Sequence, residues 1–308
     1  MRQPISIFKR VRVTLPSTVI VALLGISIWG ALDASANHPV LVEGTCLGPG
    51  ATQRTSVTPG TCGDYDGDGR IGTAEDTDEA DRVFGTINAA LGPGSGAAAG
   101  TGANQNGRVV IVASGVFPEV VNITAANGNV TLEAAQGVEA NIDAVLQGDP
   151  GSAARQNAPG IIVNAPADRF VTIRNIVSRN WTEGISIRGL SNVLIDDCRV
   201  ENNINYGIRV RDSAKVKINN TQVSATGFRV GGGMDFPRVL TPNPGNGIEY
   251  EDESSGLICN TCVTGSFGAG IKVDTRDKGR GFGNSSVGLQ NVCVFNNHPD
   301  FDGVRAPR

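Results

Sequence analysis

Histidine, methionine and aromatic residues are scarce in this chain. Two His, two Met and two Trp occur among 308 residues, and aromatics make up only 5%. The two histidines are His38 and His298. Placed near the two ends, they make Ser-His-Asp chemistry improbable, and they leave the single Cys259-x-x-Cys262 pair without nearby partners for a metal site. A basic excess is missing as well: 26 Lys and Arg stand against 30 Asp and Glu, which argues against nucleic acid as a partner. Long apolar runs are absent except for one, Val19 to Leu32, so no other segment could cross a bilayer.

That run is preceded by Arg2, Lys9, Arg10 and Arg12 and followed by Ala34-Ser35-Ala36. This is the layout of a secretory signal peptide, so residues 1–36 are expected to be removed. An uncleaved anchor is the rival reading, although the run is shorter than the ~20 residues a membrane span needs. Cleavage would leave 22 basic and 29 acidic residues, net −7, on a secreted, cell-surface or periplasmic protein that no longer contacts membrane. Six cysteines in an exported chain make disulfides plausible. Cys46 and Cys62 bracket a short loop and are paired here.

Glycine, by contrast, is abundant, and it keeps time. Gly160-Ile-Ile-Val, Gly184-Ile-Ser-Ile, Gly207-Ile-Arg-Val, Gly247-Ile-Glu-Tyr and Gly270-Ile-Lys-Val recur at intervals of 24, 23, 40 and 23 residues. The long interval exceeds a standard unit by 17, which reads as an insertion at roughly residues 226–244. A second phrase runs alongside, with an aliphatic residue two positions before Asn or Asp: Ile173/Asn175, Ile195/Asp197, Ile218/Asn220, Ile258/Asn260 and Leu289/Asn291. Period-2 alternation in short strands, repeated every twenty-odd residues, predicts a solenoid in which neighbouring coils complete one another's core. Asn suits the column because it tolerates the left-handed backbone of a sharp turn and can bond the turns above and below.

In these two phrases the chain resembles the right-handed parallel β-helix proteins of the pectate-lyase-like superfamily, whose internal asparagine ladder has this form. The resemblance implies an all-β fold. Phe84 to Leu91 followed by Gly107 to Ile123 resembles the capping helix and first coil of pectinesterase-like β-helices. The expected organisation is an N-terminal segment over 37–91, a flexible loop over 92–107, the β-helix over 108–297 and a tail over 298–308. The capping helix is expected over Asp76 to Leu91, where Val83, Ile87, Ala90 and Leu91 form an apolar stripe. In register, Cys262 and Cys293 fall in one column, about 4.8 Å apart by strand spacing, which suits a disulfide; Cys259–Cys262 is the competitor. Cys198 reads as a buried free thiol.

Asp64 to Glu75 reads D-Y-D-G-D-G-R-I-G-T-A-E and fits an EF-hand loop position by position. Asp64, Asp66, Asp68, the Arg70 carbonyl and a bidentate Glu75 would bind calcium, with Gly69 permitting the turn. Lacking an incoming helix and a second loop, it looks like the calcium loops of dockerins, which implies a structural ion; the bland alternative is a solvated acidic turn.

Counting from each repeat glycine, positions +1 and +3 point inward and +2 and +4 face solvent. Column +2 reads Ile162, Ser186, Arg209, Glu249, Lys272, and column +4 reads Asn164, Arg188, Arg211, Glu251, Asp274. Arg188, Arg209, Arg211, Glu249, Glu251, Lys272 and Asp274 are therefore the candidate site, with Arg229, Asp235 and Arg238 of the insertion as a wall. In the superfamily the polysaccharide groove usually lies along this face, which implies an acidic polysaccharide as partner. The basic groups could neutralise a uronate carboxylate and serve as base in β-elimination, and the carboxylates could hold calcium or act as acid. The same columns could equally be cross-strand ion pairs on a noncatalytic structural or adhesive protein. Family catalytic signatures are missing: Asp196-Asp197 is not followed by the Gly-His-Gly of polygalacturonases, and Arg305-Ala-Pro307 lies in the tail rather than in the repeats where pectate lyases carry their Arg-x-Pro segment.

Overall fold

A computed structural model describes residues 40–43, 83–92, 106–127, 129–145, 152–229, 239–240, 245–274 and 285–303. The calcium-type loop, the signal segment, Cys46 and Cys62, and most of the insertion with Asp235 and Arg238 lie outside the described residues.

Three parallel sheets run the length of the coil, each contributing one strand per turn. The first holds Asn106–Ile111, Asn129–Ala134, Phe170–Arg174, Asn192–Asp196, Lys215–Asn219, Ser255–Cys259 and Ser286–Gln290 in spatial order. The second runs from Gly115–Phe117 through Ala140–Asp143, Ile176–Arg179, Arg199–Glu201, Gln222–Ser224 and Cys262–Thr264 to Cys293–Phe295. The third stacks Val121–Thr124, Ile161–Asn164, Glu183–Ile187, Tyr206–Val210, Asn246–Tyr250, Ile271–Val273 and Phe301–Asp302. Ile173, Ile195, Ile218, Ile258 and Leu289 are direct partners in the first sheet. In the third, Ile161, Ile185, Ile208, Ile248 and Ile271 are likewise aligned. The inward columns form one continuous buried cluster. Burying a Val or Ile side chain is worth about 1.5–3 kcal/mol, so each added coil stabilises the one before it.

The first corner follows from the Asn column. Asn175, Asp197, Asn220, Asn260 and Asn291 all have positive φ, between 48° and 54°. Their side chains form a ladder, Asn220 Nδ2 donating to Asp197 Oδ1 at 3.2 Å and Asn291 Nδ2 to Asn260 Oδ1 at 2.9 Å. Asp197, Asn220, Asn260 and Asn291 are exposed. The ladder is thus external, because a residue in the left-handed conformation at a tight corner turns its side chain away from the core.

An internal polar column exists at the second corner. Asn180, Asn202, Ala225, Gly265 and Asn296 take positive φ there, and each is followed by a buried residue: Trp181, Asn203, Thr226, Ser266 or Asn297. Asn203 Oδ1 accepts from Trp181 N and its Nδ2 donates to Ser178 O, while the Trp181 indole donates to Ile142 O at 2.8 Å. Asn297 repeats the arrangement, accepting from Ser266 N and donating to Val263 O. These bonds satisfy backbone groups that the corner leaves without strand partners. The repeat glycine stands just beyond, next to the start of each third-sheet strand, and close packing explains its identity. A Cβ on Gly207 would lie 2.5 Å from both Gly247 O and Val223 Cγ1.

The N-terminal end differs from expectation. Val83–Phe84 is a strand, not helix, and pairs in parallel with Val40–Val42, which in turn pairs with Val109 to Ile111. Gly85 interrupts the run, so the helix within the described residues is only Ile87–Leu91, capped by Thr86 Oγ1, which accepts from Ala89 N. The Glu119 carboxylate accepts from the Ile87 and Asn88 amides at 2.7 and 3.0 Å. Ile87, Ala90 and Leu91 are buried in the core cluster, so even this single turn packs as a cap. A four-residue helix, Ser152–Arg155, precedes the Ile161–Asn164 strand. At the other end Phe301–Asp302 adds a last short strand to the third sheet.

Cys262 and Cys293 are cross-strand partners joined by a disulfide, with Cα atoms 4.6 Å apart. Cys259 and Cys198 are free and buried. They occupy different columns: Cys198 Sγ bonds Asp196 O and its amide faces Thr221, whereas Cys259 continues the Arg174, Asp196, Asn219 row. Burial pushes the Cys198 thiol up to about 12, so it stays protonated and inert.

Candidate functional site

The alignment of the third sheet gathers the candidates as counted. Ile162, Ser186, Arg209, Glu249 and Lys272 are successive partners, and Asp302 completes the column. The +4 column continues past the strand ends, since the amides of Arg188, Arg211, Glu251 and Asp274 bond Val163, Ile187, Val210 and Tyr250 carbonyls one coil away.

This face is not the open, solvated wall that alternation alone suggests. Glu249 is 2% exposed, Glu251 7% and Asp274 9%, and Ser186 is fully buried. A further outward column lies before each glycine, and counting from the glycine misses it: Glu183, Tyr206 and Asn246 are aligned partners. The glycine and the following isoleucine both turn inward at the corner, which puts the preceding residue on the outer face. The sequence signal was available in the polar character of Glu183, Tyr206 and Asn246.

The charges close on one another. Arg209 Nη1 lies 2.9 Å from Glu183 Oε1, and its Nη2 2.7 Å from Glu251 Oε1. The guanidinium also sits 4.4 Å over the Tyr206 ring, a cation–π contact. Lys272 Nζ lies 2.7 Å from Glu249 Oε1, and Asn246 Nδ2 donates to Glu249 Oε2 at 2.8 Å. Arg188 Nε donates to Ser186 Oγ, and Arg211 Nε comes within 4.0 Å of Asp212 Oδ2. Among the charged side chains of this face, two buried atoms are left without hydrogen bonds, Glu183 Oε2 and Arg211 Nε.

Burial raises the Glu251 carboxyl above the ordinary carboxylate range, against the pull of the Arg209 charge. Burial and the nearby Glu249 charge raise the Tyr206 phenol. For Lys272 and Arg209 burial acts to lower the pKa, but the carboxylates outweigh it, Glu249 for Lys272 and Glu251 with Glu183 for Arg209, so both rise. The two cations are therefore held charged and are poor proton acceptors, while Glu251 is shifted toward the range of a proton donor. Within the described residues no three or more His, Cys, Asp or Glu side chains gather to hold a metal ion. On this face the carboxylates of Glu183, Glu249 and Glu251 are engaged by Arg209 and Lys272 instead.

Residues 110–298, well over half the chain, match the family described as the right handed beta helix region, and the chain belongs to that family. Among solved structures it is similar to ORF18 of Geobacillus virus E2, at 15% identity and a TM-score of 0.40, over 63% of this chain and 42% of that one. It is also similar to pectate lyase Pel9A, at 14% identity and a TM-score of 0.32, over 63% of this chain and 71% of that one. The chain thus spans less than half the length of the viral protein, and neither likeness bears on function. No curated protein matches the sequence.

Proposed function

We propose that this is a secreted, calcium-stabilised β-helix that binds an acidic polysaccharide along the third-sheet face from Arg188 to Asp274. The carrying observation is the buried Glu183–Arg209–Glu251 relay on the outer side of the sheet. Ionised groups are costly to bury, and clusters of them with shifted pKa values mark functional sites more often than ordinary surface. In this reading Arg209 and Lys272 neutralise uronate charge rather than abstract a proton. Export is supported by the N-terminal run and by the Cys262–Cys293 disulfide, and calcium by the Asp64, Asp66, Asp68, Arg70, Glu75 loop.

A noncatalytic structural or adhesive role is the second reading, favoured by the pairing of Arg209 and Lys272 with carboxylates of the same face. Incubation with pectate, alginate and neutral glycans, with and without chelator, separates the two. Unsaturated or shortened products that vanish in Lys272→Gln support the enzyme, and binding without products supports the adhesive module. Indifference to every acidic glycan would rule out the proposal.

A further inference from the structure

A groove of about 510 Å³ lies on the outer face of the first sheet, across one short corner from the third-sheet face. It is lined by Phe170, Asn192, Leu194, Lys215, Lys217 and Leu257, among others. The register fixes its layout. Phe170, Asn192 and Lys215 form one outward row, and Leu194, Lys217 and Leu257 the next. Phe170 is 51% exposed, and the two leucines are partly so.

The lysines set this face apart. Arg108, Arg174, Arg179, Arg199, Arg209 and Lys272 all reach carboxylates. Among the described residues neither the Lys215 nor the Lys217 side chain has a hydrogen bond or ion pair, and both residues are exposed. Two carboxylates elsewhere on the same sheet are already engaged. Glu133 is held by Arg108, and Asp196 by Arg174 and Asn219. On a chain of net charge −4, two unneutralised cations about 6.6 Å apart on one strand therefore sit beside exposed apolar side chains.

We propose that this groove is a binding site for a linear anionic glycan, separate from the third-sheet face. Sugar rings have apolar C–H faces that pack on aromatic and aliphatic side chains, and Phe170, Leu194 and Leu257 present such a platform. Carboxylates on the rings complement Lys215 and Lys217. Successive coils lie about 4.8 Å apart, close to the length of one pyranose, so a glycan running along the coil axis meets one row of side chains per residue. A nucleic acid would meet only two cations here and an acidic overall field, and a polyacidic peptide would leave the apolar platform uncovered.

The test uses the full chain with polygalacturonate, its fully methyl-esterified form, polyaspartate and single-stranded DNA, read by affinity electrophoresis and calorimetry. The wild type should bind polygalacturonate and discriminate against the ester at least tenfold. Lys215→Gln/Lys217→Gln should lose at least tenfold in affinity for polygalacturonate without a change in melting temperature, since both side chains are exposed and unpaired. Undiminished affinity in the double variant overturns the groove, as does wild-type binding of the ester, polyaspartate or DNA as tight as that of polygalacturonate. Lys272→Gln probes the third-sheet reading independently. Loss of binding there with the lysine pair silent removes this groove and leaves that reading, and the reverse pattern does the opposite.

Discussion

Arg209 touches carboxylates from two different coils, Glu183 one turn below and Glu251 one turn above, at 2.9 and 2.7 Å. One guanidinium therefore ties three layers of the third sheet together from the outside, while the isoleucine columns do so from within.

Removing that group leaves two buried carboxylates without a counter-charge. Arg209→Ala should destabilise the fold by about 3 kcal/mol, the range seen when one partner of a buried pair is deleted. Urea unfolding followed by circular dichroism measures it, and a loss within the error of the wild type would show the relay to be energetically idle.

The raised Glu251 pKa gives a pH dependence of definite sign. A carboxyl shifted up by the fold contributes its full stabilisation below the unfolded value of about 4.3 and loses it as the pH climbs through the folded value. Glu251→Gln abolishes that step and can still accept at Oε1, where Arg209 Nε and Nη2 both arrive. Its stability relative to the parent should therefore increase as the pH rises above about 4.3, as read from denaturant midpoints. A pH-independent difference would contradict the assignment.

The Cys262–Cys293 bridge closes a separation of 31 residues. Loop entropy for that length puts its contribution at about 3–4 kcal/mol. Cys262→Ser/Cys293→Ser should lower the melting temperature, and reductant should lower that of the parent by more than that of the variant.

Two glycines supply a matched pair. Gly207→Ala drives a methyl into Gly247 O and Val223, and should cost about 1–3 kcal/mol or more. Gly115→Ala meets nothing within 4 Å and should stay within about 0.5 kcal/mol of the parent. Equal effects would mean that the corner is looser than its packing implies.

Calcium is tested directly. Chelator should lower the melting temperature of the parent, and Glu75→Gln, which removes the expected bidentate ligand, should start lower and respond less. Identical melting with calcium and with chelator would assign the loop to solvent.

Sequence made the repeat legible because two columns carry chemistry that varies little. The glycine must be small where Val223 and Gly247 crowd it, and the Asn or Asp must tolerate positive φ. Both alignments match the strand register residue by residue. The second corner escaped notice because the Asn of its left-handed positions, Asn180, Asn202 and Asn296, is broken by Ala225 and Gly265 in the coils between. Of the candidate site, the +2 and +4 columns were readable from alternation. Glu183, Tyr206 and Asn246 were not, because the corner breaks the period of two just where they stand. Nor could alternation show that the face is buried, since it distinguishes one side of a strand from the other and says nothing of what lies over it. The helix expected over residues 76–91 is found at Ile87–Leu91 but not at Val83–Phe84, for a local reason: that pair found a strand partner in Val40–Val42, and tertiary pairing overrode the apolar stripe there.

Because each layer repeats the geometry of the last, the length of this molecule is quantised. Excising or duplicating a stretch that begins and ends at equivalent points, such as Gly184 to Tyr206, shortens or lengthens the rod by one step and leaves both flanking faces in phase. A cut that does not span a whole number of layers would rotate everything downstream out of alignment.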